Sequence, residues 1–309
     1  MPWQNIRISR FGGPEVLELA EQPSIPDPGP GAVRIKVLAA GTGFTDSFIR
    51  RGRYPDYKGP LPFTPGYELV GVIEKSGPGV TVPRDGALVA DLCVVGGYAQ
   101  YAIRPARFLV PLADGLDPAE AVCIPLADLT AFQMLTRVCH LLPKATILVI
   151  GASGSAGDFV ATVRQLTTGR NGGAGVDAAF DAIGGAHFAR SYACLAPGGM
   201  LVGYGSQTMA AGGEGLLAAG LGLARLRLWD ALSWLFGGRH AAWFNITGRR
   251  LAHPEEFKAD MATLFGLLRD GAIHPVVIDR LPLRAARDVH TRIDAGGLGG
   301  KIVLLPWLT

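Results

Sequence analysis

The stretch GASGSAGDFVATVRQLT, residues 151–167, decides the fold of this chain. It follows the apolar run TILVI at 146–150 and leads directly into a helical pattern. A strand, a glycine-rich turn and a helix in this order open a dinucleotide-binding domain, because the glycines allow a tight turn and the helix N-terminus faces the pyrophosphate. The stretch therefore predicts a cofactor-binding turn that contains Gly151, Ser153, Gly154 and Gly157.

The residues after this turn alternate between strand and helix patterns. Apolar runs predict strands at 176–181 and 200–204, and helical periodicity occurs at 158–168 and 187–195. This alternation is typical of a parallel α/β sheet. The N-terminal third instead shows short alternating runs separated by prolines, which predict a β-rich region. We therefore predict two domains, with limits at 1–118 plus 273–309 and at 119–272.

Length and composition exclude several classes of function. With 309 residues, 49% of them hydrophobic, the chain can bury two cores. Its net charge of +3 comes from scattered lysines and arginines, whereas nucleic-acid binding requires concentrated positive charge. The four cysteines form no CxxC pair, which favours reduced thiols and a cytoplasmic location.

No membrane span is expected from the sequence. The N-terminal residues show no basic stretch followed by an apolar one, as a secretory signal would. The most hydrophobic segment, 215–236, contains Arg225, Arg227 and Asp230, which are costly at a bilayer centre. We expect this segment to form a buried or interfacial pair of helices.

A series of short phrases resembles one family along nearly the whole chain. Each phrase is weak alone, but their order is specific: FGGPE (11–15), FTD (44–46), RGRYP (51–55), PGYE (65–68), GGYAQY (96–101), LTAF (129–132), the turn at 151–157, FDAIGG (180–185), PGG (197–199) and GKIV (300–303). They resemble the zinc-independent medium-chain dehydrogenases/reductases of the quinone oxidoreductase, or zeta-crystallin-like, group. The resemblance implies a GroES-like catalytic domain plus a Rossmann domain, and reduction of quinones, enones or related carbonyl compounds by NADPH.

The same resemblance implies the site residues. In the family, the matching positions that line the substrate cleft or approach the reacting ring are Tyr54, Tyr67, Thr130 and Asp46, which we assign as candidate catalytic residues. The implied cofactor-binding positions outside the glycine-rich turn are Thr45, Gly184, Gly205, Phe244 and Lys301. Gly43 departs from the family, since many relatives carry Asn or Ser there. From the residues alone, a helix cap is as good an account of Asp46, and a packed aromatic ring is as good an account of Tyr54.

The segment after the turn supports two interpretations. By spacing, Asp181 ends the next strand 24 residues after Gly157 and would bind a ribose, which favours NAD. By comparison with the family, 158–167 matches the helix before the fourth Rossmann strand, so strands two and three are absent and the order 1-4-5-6 remains. We prefer the second interpretation, because it accounts for a whole run of matches. It predicts weak or lost NADPH binding, through loss of the adenosine half-site.

Neither zinc nor serine-hydrolase chemistry is expected. Zinc-dependent relatives place a cysteine in the segment that matches 41–46 and a histidine before the glutamate that matches Glu68, whereas this chain has GTGFTD and Tyr67. We therefore predict no metal. The run 151–157 does not provide the Gly-x-Ser-x-Gly that a nucleophile elbow needs.

Three functions remain open from the sequence. The first is an NADPH-dependent reductase with impaired cofactor binding, and the second is a cofactor-independent cyclase, isomerase or dehydratase that uses the same cleft. The third is a non-catalytic scaffold or binding protein. In each case we expect a homodimer formed near 243–247 and the apolar segment 215–236, because relatives pair an edge strand there and the apolar segment needs cover.

Overall fold

The computed structural model describes residues 2–57, 59–150, 159–205, 216–236 and 238–309. The predicted cofactor-binding turn, with Gly151, Ser153, Gly154 and Gly157, lies outside the described residues. The chain divides into two compact units, Met1–Thr130 with Arg250–Thr309 and Ala131–Arg249. The domain limits given above remain a prediction.

The first unit is built on a β-sheet that the two ends of the chain share. Its strands are β1 Trp3–Ile8, β2 Leu17–Gln22, β3 Ala32–Gly41, β4 Glu68–Ser76, β5 Leu88–Leu92, β6 Tyr101–Pro105, β7 Val110–Pro111, β12 Val277–Pro282 and β13 Lys301–Leu305. The sheet has the order β12-β13-β3-β4-β5-β7, with β6 paired to β3, and β1 pairs separately with β2.

The pairing of β13 with β3 brings the C-terminus to the centre of this unit. The two strands are antiparallel, with Val303 opposite Gly41 and Leu304 opposite Ala40. The buried core joins residues from both ends of the chain, including Ile6, Ile8 and Ile302. The C-terminal segment therefore rejoins the N-terminal region, and it places the start of β13 beside the segment that follows β3.

The second unit contains a parallel sheet with the order β11-β10-β9-β8 among its described residues. Its strands are β8 Ile147–Ile150, β9 Val176–Asp181, β10 Leu195–Gly203 and β11 His240–Trp243. Strands β8, β9 and β10 follow each other in the sequence and pair as neighbours, all parallel. This confirms the predicted mixed α/β class, and β8 is an edge strand within the described part of the sheet.

The helices follow the predicted pattern closely. They are α1 Phe44–Arg50, α2 Pro118–Ala121, α3 Leu129–Gln133, α4 Phe159–Asn171, α5 His187–Ala193, α6 Leu216–Phe236, α7 Ile246–Ala252, α8 Pro254–Arg269 and α9 Ala286–Ala295. Two π-helical segments, Ile124–Asp128 and Met134–Val138, flank α3. The predicted pair of helices at 215–236 was wrong, because α6 is one continuous helix that Gly220 and Gly222 do not interrupt.

One helical stretch is long and apolar enough to cross a membrane. It runs from Pro118 to Val138, and 44% of its most apolar window is buried inside the protein. Ala121, Val122 and Ile124 are fully buried there. Core helices of soluble proteins meet the same length and hydropathy criteria.

Candidate active site

The segment from Gly41 to Asp46 begins the candidate site in the first unit. The Asp46 Oδ2 accepts a hydrogen bond from the Gly43 N–H at 3.0 Å and so caps α1. The Thr42 hydroxyl donates to the Ile302 carbonyl at 2.7 Å, which fixes the segment to β13. Thr45 is half-buried in the first turn of α1. The structure thus shows the helix-capping role that was one of the two accounts of Asp46 from the sequence.

Tyr54 and Tyr67 form a hydroxyl pair. Their oxygens are 2.7 Å apart, and their rings meet edge to face with centroids at 5.8 Å. Tyr67 is fully buried, whereas Tyr54 is partly exposed. Phe48 packs edge to face against Tyr54 and limits its orientation. The structure thus brings two predicted catalytic residues together, one of them fully buried and the other half-buried.

Glu68 and Lys301 form a buried ion pair at the start of β4 and β13. The carboxylate is 1% exposed, and its second oxygen accepts the Leu126 N–H at 2.9 Å. Burial raises the pKa of Glu68. Burial also opposes the charge on Lys301, but the Glu68 carboxylate outweighs it and raises the pKa of the ammonium. Lys301, predicted as a cofactor ligand, is therefore engaged with Glu68 through its charged group.

The absence of a side chain at Gly41 makes room for this pair. A Cβ built on Gly41 would lie 2.3 Å from Oε1 of Glu68, well inside van der Waals contact. Glu68 is part of the phrase PGYE, but neither the phrase nor the resemblance predicts a role for it. A signal was present, because an acidic residue at the head of the otherwise apolar run ELVGVI needs a buried partner.

Asp46 lies in the same electrostatic environment. Burial, together with the negative charge of Glu68, raises the pKa of Asp46 to about 7, and Lys301 opposes the shift. A group with such a pKa changes its charge near neutrality, which general acids and bases also require. Thr130, the remaining predicted catalytic residue, is half-buried in α3 directly after the π-helical segment that donates to Glu68.

The second unit places three predicted cofactor residues after the carboxyl ends of its strands. Gly184 follows β9 with φ +86°, and Gly205 follows β10. A Cβ on Gly205 would lie 2.5 Å from the Ala182 carbonyl oxygen, so the two loops touch through backbone. Phe244 follows β11, is 5% exposed, and donates its N–H to the Gly203 carbonyl at 2.8 Å. This edge is where open α/β sheets bind nucleotides.

Asp181 is not available to a ribose. Its Oδ1 accepts the N–H groups of Ile183 and Gly184 at 2.8 and 3.1 Å. Its Oδ2 accepts the Ser191 hydroxyl at 2.6 Å and lies 2.9 Å from Nδ1 of His187. The carboxylate is fully buried and organises the turn after β9. The distance in sequence from Gly157 to Asp181 therefore wrongly indicated a ribose ligand and NAD. The hydrogen bonds of Asp181 agree with the interpretation in which β9 is the fourth Rossmann strand.

The residues do not fit a catalytic zinc ion. Within the described part of the chain, no group of three or more His, Cys, Asp or Glu side chains converges as a metal site would require. Burial raises the pKa of the Cys93 and Cys123 thiols to about 12, so neither is a ready thiolate ligand.

Known sequence families match the chain in two blocks. A family model described as zinc-binding dehydrogenase matches residues 149–304, which is half of the chain. A second model, described as alcohol dehydrogenase GroES-like domain, matches residues 29–114. These blocks confirm the predicted combination of a GroES-like domain with a Rossmann-like parallel sheet.

Individual relatives align along almost the entire chain. A 2-haloacrylate reductase from Burkholderia sp is 28% identical over 97% of this chain and 98% of its own length. The quinone oxidoreductase of Homo sapiens is 26% identical over 97% of both chains. A solved structure of a mycobacterial protein complexed with NADPH is 26% identical, with a TM-score of 0.78 over 98% of this chain and 100% of that one.

Proposed function

Because the chain belongs to the zinc-binding dehydrogenase family, in the quinone oxidoreductase group of the medium-chain dehydrogenases/reductases, we propose that it is a zinc-free reductase that uses NADPH. Its substrates are quinones, enones or related carbonyl compounds, including acrylate-like acids of the kind named for the Burkholderia relative. The observation that carries this proposal is the pair of hydroxyls on Tyr54 and Tyr67.

The tyrosine pair suits protonation of a reduced conjugated system. When bound, NADPH supplies a hydride, and negative charge then develops on the substrate oxygen or on the carbon next to its carbonyl group. The hydroxyl of Tyr54, a half-buried residue, can donate a proton there. Tyr67 stabilises the phenolate that Tyr54 becomes, since its own hydroxyl lies 2.7 Å away. Without zinc, hydrogen bonds of this kind polarise the carbonyl group.

Gly184, Gly205 and Phe244 fit the nicotinamide end of NADPH. They follow the carboxyl ends of adjacent parallel strands, Gly184 has a positive φ of 86°, and Gly205 allows its loop to pack against the Ala182 backbone. Thr45, at the N-terminus of α1 in the first unit, is the candidate for the nicotinamide ribose. The glycine-rich turn at 151–157 is assigned to the pyrophosphate from its sequence.

We infer that the part of the NADPH site that binds the adenosine end is reduced in this chain. Strand β8 is an edge strand in the described sheet, at the position where a full Rossmann sheet continues with strands two and three. The alignments with relatives run over 341 to 350 positions, more than the 309 residues here. Loss of those strands removes the adenine pocket and the group that binds the 2′-phosphate. NADPH then binds weakly.

We also propose that the protein forms a homodimer through the edge of the parallel sheet opposite β8. Strand β11 is the outer strand there, and Trp243 at its end is 41% exposed. Helix α6, which packs against β11, exposes Leu221, Leu228 and Leu232. We expect a dimer mass in light scattering and dissociation by Trp243→Lys, with Leu142→Lys as a control at a distant exposed leucine. A concentration-independent monomer contradicts this part of the proposal.

Two measurements test the proposed function. Oxidation of NADPH should be followed with a panel of quinones, enones and 2-haloacrylates, while calorimetry measures NADPH binding. Turnover that depends on both NADPH and an electron-poor double bond or quinone supports the proposal, and elemental analysis should find no zinc. If NADPH neither binds nor is oxidised at millimolar concentration, a cofactor-independent enzyme or a binding protein becomes the better account.

A further inference from the structure

The buried carboxylate of Glu68 joins three separate elements of the first unit. Its Oε1 pairs with the Lys301 ammonium at the start of β13, and its Oε2 accepts the Leu126 N–H at 2.9 Å. Glu68 itself begins β4, whereas Leu126 lies within the π-helical segment Ile124–Asp128. The carboxylate therefore reaches from the sheet to a helical backbone that lies 58 positions further along the chain.

The hydrogen bond to Glu68 lies where the helical ladder already lacks one donor. In a regular α-helix each N–H bonds the carbonyl four residues earlier. Pro125 has no N–H, and the next residue, Leu126, directs its N–H at the Glu68 side chain. A side chain that enters the ladder of a helix is one of the recognised causes of a change in helical geometry. Glu68 thus acts on the backbone at the point where the geometry changes.

The helix contains one extra residue in this turn. The Leu129 N–H bonds the Ile124 carbonyl, five residues earlier, as a π-helix requires, and also that of Leu126. Ile124 and Leu129 are both fully buried, so the core-facing side chains follow the same five-residue step. Because each helical residue turns the chain by about 100°, the extra residue rotates everything after it by about that angle. The next residue is Thr130, half-buried in α3.

We propose that Glu68 is a positioning residue, which holds the π-helical turn by accepting the Leu126 N–H and so sets the direction in which α3 presents Thr130. Lys301 supports this role, because its ammonium group favours the ionised carboxylate, and a charged acceptor binds an N–H more strongly than a neutral one. The final step rests on the proposed function, since Thr130 is a candidate catalytic residue assigned from the family resemblance. Glu68 acts on the reaction through Thr130 and not by contact with the substrate.

Two double variants separate the hydrogen bond from the ion pair. The glutamine variant, Glu68→Gln with Lys301→Met, keeps an acceptor for the Leu126 N–H and buries no charge. The methionine variant, Glu68→Met with Lys301→Met, has nearly the same shape but no acceptor. Their difference therefore reports the acceptor alone. Glu74→Met is the control on the same strand, since the Glu74 carboxylate pairs with Arg34 at 2.6 Å instead.

Crystal structures of the two variants test the direction of Thr130 without any assay of activity. The glutamine variant should keep the bond from the Leu129 N–H to the Ile124 carbonyl. In the methionine variant we expect the Leu129 N–H to bond the Pro125 carbonyl, four residues earlier, and Thr130 to turn away from its native direction. Pro125→Ala, with Glu68 intact, should keep the π-helical turn.

Hydrogen exchange on the full chain makes the same comparison in solution. The Leu126 amide should exchange about tenfold faster in the methionine variant than in the glutamine variant, which is the effect of losing one hydrogen bond. The Phe180 amide, in a strand paired on both sides in the second unit, should exchange equally in the two variants.

A double-mutant cycle tests whether Glu68 acts through Thr130. With NADPH and para-benzoquinone, the kcat of the methionine variant should be about tenfold lower than that of the glutamine variant, because a misplaced group in the site slows the reaction. In a Thr130→Val background the two variants should have equal kcat, since residues that act through one another are not additive. A role confined to folding would leave the difference in kcat the same in both backgrounds.

Three results would overturn the proposal. The first is a folded methionine variant that keeps the Leu129–Ile124 bond and the direction of Thr130. The second is loss of the π-helical turn in Pro125→Ala, which would assign the turn to the proline and does not depend on the folding of the methionine variant. The third is a difference in kcat that Thr130→Val leaves unchanged. If the native protein oxidises no NADPH, the proposed function fails, and the crystal structures still decide whether Glu68 directs Thr130.

Discussion

The two units differ in how many of the features expected from the family resemblance they contain. The first unit supplies paired hydroxyls, a buried ion pair and a capped carboxylate within a sheet that both chain ends share. The second unit supplies a short parallel sheet whose β8 edge lacks a neighbouring strand among the described residues. The difference teaches where the proposed function can fail: the proposed proton donor lies in the first unit, whereas the proposed loss of the adenosine half-site concerns the second.

The largest effect should come from restoring the second unit. Insertion of the corresponding segment of the Burkholderia relative after Gly157 should raise NADPH affinity by about two to four powers of ten, through regained phosphate contacts and adenine burial. Calorimetry at neutral pH measures the change. An insert of equal length made of glycine and serine is the control and should not help. Micromolar NADPH binding by the native chain would contradict the proposed loss of the adenosine half-site in the second unit.

The next effect concerns the buried ion pair of the first unit. Lys301→Met leaves Glu68 buried without a counter-ion and should lower the free energy of unfolding by about 3–5 kcal/mol. Urea denaturation at pH 7 measures this. The double variant Glu68→Gln with Lys301→Met should recover most of the loss, because the amide still accepts the Leu126 N–H. Lys75→Met, which breaks an exposed pair with Asp27, should change stability by less than about 1 kcal/mol.

The tyrosine pair should show a smaller effect, confined to catalysis. Tyr54→Phe removes the proposed proton donor and should lower kcat about a hundredfold, with little change in stability. Tyr57→Phe is the matched control in the same loop, since its hydroxyl donates to the Pro60 carbonyl at 3.3 Å and lies outside the proposed tyrosine pair. Equal activity of the two variants in steady-state kinetics would show that water, rather than Tyr54, delivers the proton.

The smallest effect is a change in how stability depends on pH. Burial raises the pKa of Asp46 from 3.8 to about 7, so folding takes up a proton in this range. The contribution of this group is fully present below about pH 4 and is lost as pH rises through about 7. Asp46→Asn keeps an acceptor for the Gly43 N–H and should flatten this part of the profile. A profile identical to that of the native protein would mean that Asp46 stays ionised throughout.

Much of the fold could be read from the sequence. The predicted strand 176–181 matches β9 residue for residue. Such local features follow from hydrophobic periodicity and from turn residues, which act over a few positions. The phrase FDAIGG also located Gly184 at a strand end, because a backbone that must turn sharply admits few residue types.

The tertiary structure alone decided how the buried polar groups are paired. Lys301 meets Glu68 across 233 positions, and Arg50 meets His290 across 240. No periodicity records such a meeting, since a hydrogen bond depends on where distant segments converge and not on local spacing. The same reason explains why the spacing of Asp181 was misleading. Asp181 lies where a ribose ligand is expected in the sequence, but its carboxylate accepts hydrogen bonds from Ile183 and Ser191. The sequence by itself determined the family, the strands and the residue types at the site, and the packing of β13 and α9 against α1 and β4 determined which of those residues hold one another.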